Sequence, residues 1–342
     1  MASFPTTFGV SGSLGGESER NFMTEMYGAR FVQVPGFLDT CTGPPHAPPA
    51  LLKGTVYVHD SREQQLEAIV ARAVEKRQSV PVLIIMHDPE LAKRVQRLVS
   101  DRLPNGHGRL RDRSGAPEVQ LYISEIEKSK LTGIVMKATE PIDENTQEKR
   151  FRVTVTDYSG GRGIDYNMPA DSDTDDAGGL LVILSCIPKE GEREWIQWRG
   201  RTARKDRRGQ YSVILCREDE PVSTRLDLIE KHALPSKPTC HNAAVITDLL
   251  NHYDEKNRET LNSGAAKRLT AMRVSEFCDR FWATFGSAHG NPHGRRWPFD
   301  ATETAFRDFL TEHQHDSNPK MLIDFAVKLG VIADASMYRS KY

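Results

Sequence analysis

The chain has 342 residues, more than one domain commonly needs, with 38% hydrophobic and 27% charged residues. Its formal net charge of -1 excludes a polyanion binder acting through bulk electrostatics, and leaves only local basic patches. Its five cysteines (Cys41, Cys186, Cys216, Cys240 and Cys278) are far apart with no C-x-x-C, which argues against a disulfide scaffold and a zinc ribbon. The N-terminus has neither a basic region nor an apolar run of a signal peptide, and no stretch is apolar enough to span a membrane. The expected location is the cytoplasm, or the periphery of a membrane.

In chain order, Phe8–Ser11 reads as a short strand and Glu17–Tyr27 as a helix with Phe22, Met23, Met26 and Tyr27 at helical spacing. Arg30–Val34 alternates and stops at Pro35, a second strand. The proline-rich stretch Pro35–Pro49 is the first boundary. Strands and helices then alternate. Strands are expected at Thr55–His59, Val80–Met86, Glu118–Ile123, Phe151–Thr156, Leu180–Ser185 and Tyr211–Cys216. Helices are expected at Ser61–Arg77 with Ser61 as N-cap, from Asp88-Pro89 to about Asp101, between Ile123 and Phe151, and over Glu192–Arg204. Arg102–Ala116 and the acidic Ala170–Asp176 read as loops. After about Pro235 the strands stop, and Ala243–Tyr253, Arg273–Phe285, Thr302–His313 and Pro319–Leu329 follow as amphipathic helices.

This pattern predicts an α/β fold with a parallel sheet, helices on both faces and a C-terminal helical appendage. The expected organisation is residues 1–50 as the end of a preceding domain with a connector, 51–234 as the sheet domain, and 235–342 as a helical tail.

Two stretches carry chemistry. Gln197-Trp198-Arg199-Gly200-Arg201-Thr202-Ala203-Arg204 fits Q-x-x-G-R-x-x-R. Arg201 and Arg204, three apart on the predicted helix, would share one face, and two guanidinium forks suit a phosphoryl group gaining charge. A solvated basic helix face is the plain alternative. A nucleic-acid patch is another, because Trp195 and Trp198 interleave with Arg193, Lys205, Arg207 and Arg208. Thr156-Asp157-Tyr158-Ser159-Gly160-Gly161-Arg162-Gly163-Ile164-Asp165 follows a β-branched run, where a glycine-rich turn lets backbone N–H groups approach a ligand. Arg162 could balance phosphate charge and Asp165 could accept from ribose hydroxyls; an ordinary turn with the two paired at the surface is the alternative. Gly9-Val10-Ser11-Gly12-Ser13 could relay nucleotide state or simply end a strand.

Asp88 before Pro89 is better explained as a helix cap than as a metal ligand. His289 and His293 have Gly290 and Pro292 between them, and His313 and His315 are two apart, so no protein metal site is expected. No G-x-x-x-x-G-K-[ST] occurs; Gly12-Ser13-Leu14-Gly15-Gly16 lacks the lysine. The chain thus has one half of a nucleotide site without the half that grips the β- and γ-phosphates.

These motifs resemble motifs V and VI of superfamily 2 helicase-type ATPases. Over about residues 8–220 the chain is more closely similar to the SecA-type preprotein translocase ATPases. The likeness rests on Gly9–Ser13 with Tyr27–Pro35, Gln78–Met86, Thr154–Asp165 and Gly178–Glu218. It implies a second RecA-like domain, with the end of a first domain in residues 1–50 and Gly12 and Ser13 in a coupling motif. It implies Arg201 and Arg204 as γ-phosphate fingers, Gln197 and Gly200 shaping their helix, and Gly161, Arg162, Gly163 and Asp165 at phosphate and ribose. ATP with Mg would bind only jointly with a P-loop domain, in cis or trans, so the chain alone would not hydrolyse it. The activity implied is ATP-driven protein translocation; a nucleic-acid helicase C-terminal domain and a non-catalytic interaction module are the alternatives. The translocated polymer would be polypeptide or nucleic acid. The departures are that Thr156 to Arg162 is one residue longer than the usual motif V, that serine replaces threonine at Ser11 and Ser13, that the family's nucleotide-gripping domain and preprotein-crosslinking region have no counterpart, and that the tail after 235 matches no motif.

Overall fold

The computed structural model describes residues 8–11, 13–32, 51–103, 117–142, 150–168, 172–204, 207–234 and 237–285, with positions 308 and 324. Gly12, the proline-rich connector, most of the Arg102–Ala116 loop and the helices expected beyond residue 285 lie outside these, apart from those two positions. The elements are α1 (Glu17–Tyr27), β1 (Leu51–His59), α2 (Arg62–Lys76), β2 (Val82–Ile85), α3 (Pro89–Arg102), β3 (Val119–Tyr122), α4 (Lys128–Lys137) and β4 (Val153–Thr156). They continue with α5 (Ser172–Asp176), β5 (Leu180–Leu184), α6 (Glu192–Arg199), β6 (Gly209–Cys216), α7 (Leu226–His232), β7 (Ala233–Leu234), β8 (Lys237–His241) and α8 (Ala244–Phe285). Contacts divide the chain into Met1–Asn257 and Arg258–Tyr342.

Strand order in the sheet is β3-β4-β2-β5-β6-β1-β8-β7. Neighbours from β3 to β1 are all parallel, and β8 and β7 add an antiparallel edge. This is a RecA-like α/β sheet. Its central strands β4, β2, β5 and β6 are buried at every position because both faces are covered, and β2 and β5 are wholly apolar. Successive residues of each strand point to opposite layers. Leu83, Ile85, Val182, Leu184, Val213 and Leu215 pack in one layer, with Trp195 and Trp198 of α6 and Val245 and Leu249 of α8. Val82, Ile84, Leu181, Ile183 and Ile214 pack in the other, with Leu66 and Ile69 of α2 and Val95 and Val99 of α3. Fully buried Gln65 of α2 fastens its layer to the sheet. Its Nε2 donates to the carbonyls of Ser185 and Ile214, both at 2.7 Å.

The caps fall where the sequence puts them. Ser61 Oγ accepts from Gln64 N, and Asp88 Oδ1 accepts from Leu91 N at 2.8 Å ahead of Pro89. Asp88→Ala should cost about 1 kcal/mol. Thermal unfolding should show a melting point lower by about 3 °C.

Several expectations need correction. Residues 8–11 and 30–32 form no strand, since a strand exists only through a ladder partner and no described strand pairs with them. Residues 172–176 form a short helix rather than loop. Strands do not stop at Pro235: β8 pairs antiparallel with β1, Val56 opposite His241 and Tyr57 opposite Cys240. The helices expected at Ala243–Tyr253 and Arg273–Phe285 are one continuous helix, α8.

Candidate functional site

The helix expected over Glu192–Arg204 ends at Arg199. Gly200 caps it, donating its N–H to the carbonyl of Ile196 at 2.9 Å. Arg201 and Arg204 therefore sit on a turn, not on one helix face. Two contacts fix that turn. Thr202 Oγ1 donates to the carbonyl of Leu180 at 2.5 Å, joining it to the start of β5. Gly209 lies so close that a Cβ there would meet Ala203 N at 2.2 Å. Ala203 itself takes the left-handed conformation at φ 54°, uncommon for alanine and sustained by these restraints.

The turn brings both arginines to the end of the glycine-rich loop. Arg201 is buried; its Nε donates to the carbonyl of Gln197 at 2.9 Å and its Nη1 to the carbonyl of Ile164. Arg204 Nη1 donates to the same carbonyl at 3.2 Å and to Asp165 Oδ1 at 2.7 Å, while its Nε bonds the carbonyl of Gly200 at 2.7 Å. Burial, with the charge of Arg204 beside it, lowers the Arg201 pKa to about 10. Arg201 therefore stays protonated at neutral pH. Two cations thus converge on one peptide, and Arg204 also pairs with the Asp165 carboxylate. The Arg204–Asp165 pair is half-exposed, with side chains 31% and 47% accessible. Such a pair stabilises by about 0–1 kcal/mol, so an incoming phosphate could displace Asp165 at little cost.

The glycine-rich loop is built from its own start. Asp157, fully buried, accepts from Ser124 N at 3.0 Å, Ser124 Oγ at 2.9 Å, Ser159 N at 2.9 Å and Ser159 Oγ. Thr156 Oγ1 accepts from Gly160 N at 3.1 Å and donates to the carbonyl of Asp157. Both residues therefore shape the turn. Gly163 takes φ 69°, where glycine is favoured. A Cβ on Gly161 would meet Trp198 Cδ1 at 2.4 Å. Gly161→Ala should cost about 1–3 kcal/mol through that overpacking, as urea unfolding would measure. Arg162 is exposed, with Nη1 3.6 Å from Glu194 Oε2.

The other predicted positions are dispersed. Gln197 is half-buried and serves the site through its backbone carbonyl. Ser13 is buried, with Ser11 Oγ donating to its carbonyl at 2.7 Å; no described hydrogen bond joins Ser13 to Asp165, Arg201 or Arg204. Gly12 lies outside the described residues. Trp195 and Trp198 are core residues, 5% and 2% exposed, and offer no surface for stacking bases. Arg207 and Arg208 pair with Asp175 and Asp176 of α5. The sequence reading missed Glu194, whose carboxylate accepts from Trp198 Nε1 at 2.8 Å, and the Ile164 carbonyl. The i, i+4 spacing of Glu194 and Trp198 could have flagged the first; a backbone acceptor leaves no sequence trace.

No protein-family model matches the chain, and no curated protein matches it. Similar solved structures include DEAD-box proteins and a CRISPR-associated protein. One is a DEAD box protein from the hyperthermophile Methanococcus jannaschii, 15% identical over 52% of this chain and 39% of that one, TM-score 0.32. Another is Mss116p DEAD-box helicase domain 2 bound to an RNA duplex, 13% identical over 82% and 85%, TM-score 0.36. A third is S. cerevisiae Dbp5 bound to RNA and ADP BeF3, 14% identical over 63% and 46%, TM-score 0.37. The chain thus spans less than half the length of the first and third. At such scores the likeness adds nothing to the fold given by the strand order. No helix among the described residues is long and apolar enough to cross a membrane.

Proposed function

We propose that the chain supplies the second RecA-like domain of a superfamily 2 motor of the helicase type, its sheet continuing past residue 234 into β8. It completes an ATP site whose P-loop domain comes in cis or in trans. The observation that carries this reading is the convergence of Arg201 and Arg204 on the Ile164 carbonyl beside Asp165, which joins two separate motifs into one cationic corner. Rigid guanidinium forks on a braced turn suit a phosphoryl group gaining negative charge. In this reading Arg201 and Arg204 meet the γ-phosphate, and Gly161, Arg162, Gly163 and Asp165 lie at phosphate and ribose. The described residues hold no group of three or more metal-ligating side chains. In this reading magnesium arrives with the nucleotide.

Nucleic acid is the first candidate for the moving polymer. A polypeptide, as in SecA-type translocation, is the second reading; the buried Trp195 and Trp198 do not themselves offer an aromatic platform on which single strands stack. The test mixes the chain with a P-loop domain of a superfamily 2 motor. Turnover above that of either part supports the reading; turnover by the chain alone, or none in the mixture, contradicts it. Binding of RNA that weakens steeply with salt would favour nucleic acid over polypeptide.

A further inference from the structure

Glu194 stands in the first turn of α6 with a side chain only 5% exposed, within the layer formed by Trp195 and Trp198. A carboxylate in such surroundings is costly unless its oxygens are matched. Burial raises its pKa, opposed by Arg162 and by the Trp198 hydrogen bond. Its two oxygens have different partners: Oε1 accepts from Trp198 Nε1 at 2.8 Å, and Oε2 lies 3.6 Å from Arg162 Nη1. The preceding residue, Gly161, has no room for a Cβ because the indole of Trp198 occupies that space. Two consecutive loop residues are therefore held by one helix, Gly161 through contact with the indole and Arg162 through charge. The same helix runs through Gly200 into the Arg201–Arg204 turn.

We propose that Glu194 is a positioning residue. It fastens the glycine-rich loop to α6, so that Arg162, Arg201 and Arg204 hold one fixed relation. The significance for a nucleotide rests on the function proposed above; the fastening itself does not. Once a phosphate draws Arg162 away, Glu194 loses that countercharge and keeps its indole partner, so nucleotide at the loop is felt at Trp198.

Hydrogen exchange on the chain alone tests the fastening. The amides of Gly161 and Arg162 are bonded to the carbonyls of Tyr158 and Ser159, so their protection reports loop opening. Glu194→Gln keeps the volume and an acceptor for the indole but removes the charge facing Arg162. It should speed exchange across residues 160–163 by about five-fold with the melting point nearly unchanged, and Arg162→Ala should do the same. The double variant should exchange no faster than either single one. Wild-type exchange in Glu194→Gln, or effects that multiply in the double variant, would overturn the proposal. If Glu194→Gln unfolds, the Arg162→Ala arm decides: unchanged exchange at 160–163 and an unmoved Trp198 indole proton resonance would overturn it. Turnover with a P-loop domain is read separately, and its failure would count against the nucleotide reading while the exchange result still judged the fastening.

Discussion

Arg204→Ala should reduce turnover about a thousand-fold in the mixture of this chain with a P-loop domain, while leaving the fold intact. A guanidinium that neutralises charge in the phosphoryl-transfer transition state contributes 10³-fold or more to kcat, by order of magnitude. Arg204 suits the experiment because it is half-exposed, so water can replace it at Asp165 and at the Gly200 and Ile164 carbonyls. Its pair with Asp165 is half-exposed, so removing it should shift stability by no more than about 1 kcal/mol. Arg201 is a poorer probe, because it is buried and bonded to the carbonyls of Gln197 and Ile164. Arg204→Lys retains the charge and loses the fork, and should recover only part of the rate. Steady-state ATPase assays with circular dichroism as a folding control check this. Wild-type turnover by Arg204→Ala would remove Arg204 from the chemistry.

A second large effect lies away from the site. Arg77, at the end of α2, is 1% exposed; its Nη2 donates to Glu118 Oε2 at 2.6 Å and its Nε to the carbonyl of Phe151 at 3.0 Å. Burial lowers the Arg77 pKa, and Glu118 opposes that shift. Arg77→Ala leaves Glu118, 4% exposed, without its countercharge and should destabilise by about 3–5 kcal/mol. In a sheet domain of this size the melting point should fall by about 10 °C or more. Replacing both partners, as in Arg77→Met with Glu118→Leu, should restore most of that, since the cost lies in an uncompensated buried charge. Equal losses in the single and double variants would place the cost in packing rather than charge.

The parts that were legible in the sequence are those where one force dominates. Val80–Met86 and Leu180–Ser185 are unbroken apolar runs, and β2 and β5 are buried at every position. Ser61 and Asp88-Pro89 mark helix starts by local hydrogen bonding, which needs no tertiary partner. Short alternating segments were less legible. Phe8–Ser11 alternates without a partner strand, whereas Lys237–His241, polar and interrupted by Pro238, pairs with β1 through tertiary placement alone. At the site, the motif residues stood out by type and spacing, but their geometry did not. Gly200 already signalled the end of α6, which puts Arg201 and Arg204 on a turn. The Trp-Arg interleaving suggested a surface patch, yet Trp195 and Trp198 lie three apart on α6 and belong to its buried face.

A structure of the chain with a P-loop domain, ADP and beryllium fluoride tests the central claim most directly. The guanidinium groups of Arg201 and Arg204 should lie within hydrogen-bonding distance of the γ-phosphate mimic, with Arg204 released from Asp165. A nucleotide bound elsewhere, with the Arg204–Asp165 pair still closed at about 2.7 Å, would contradict it.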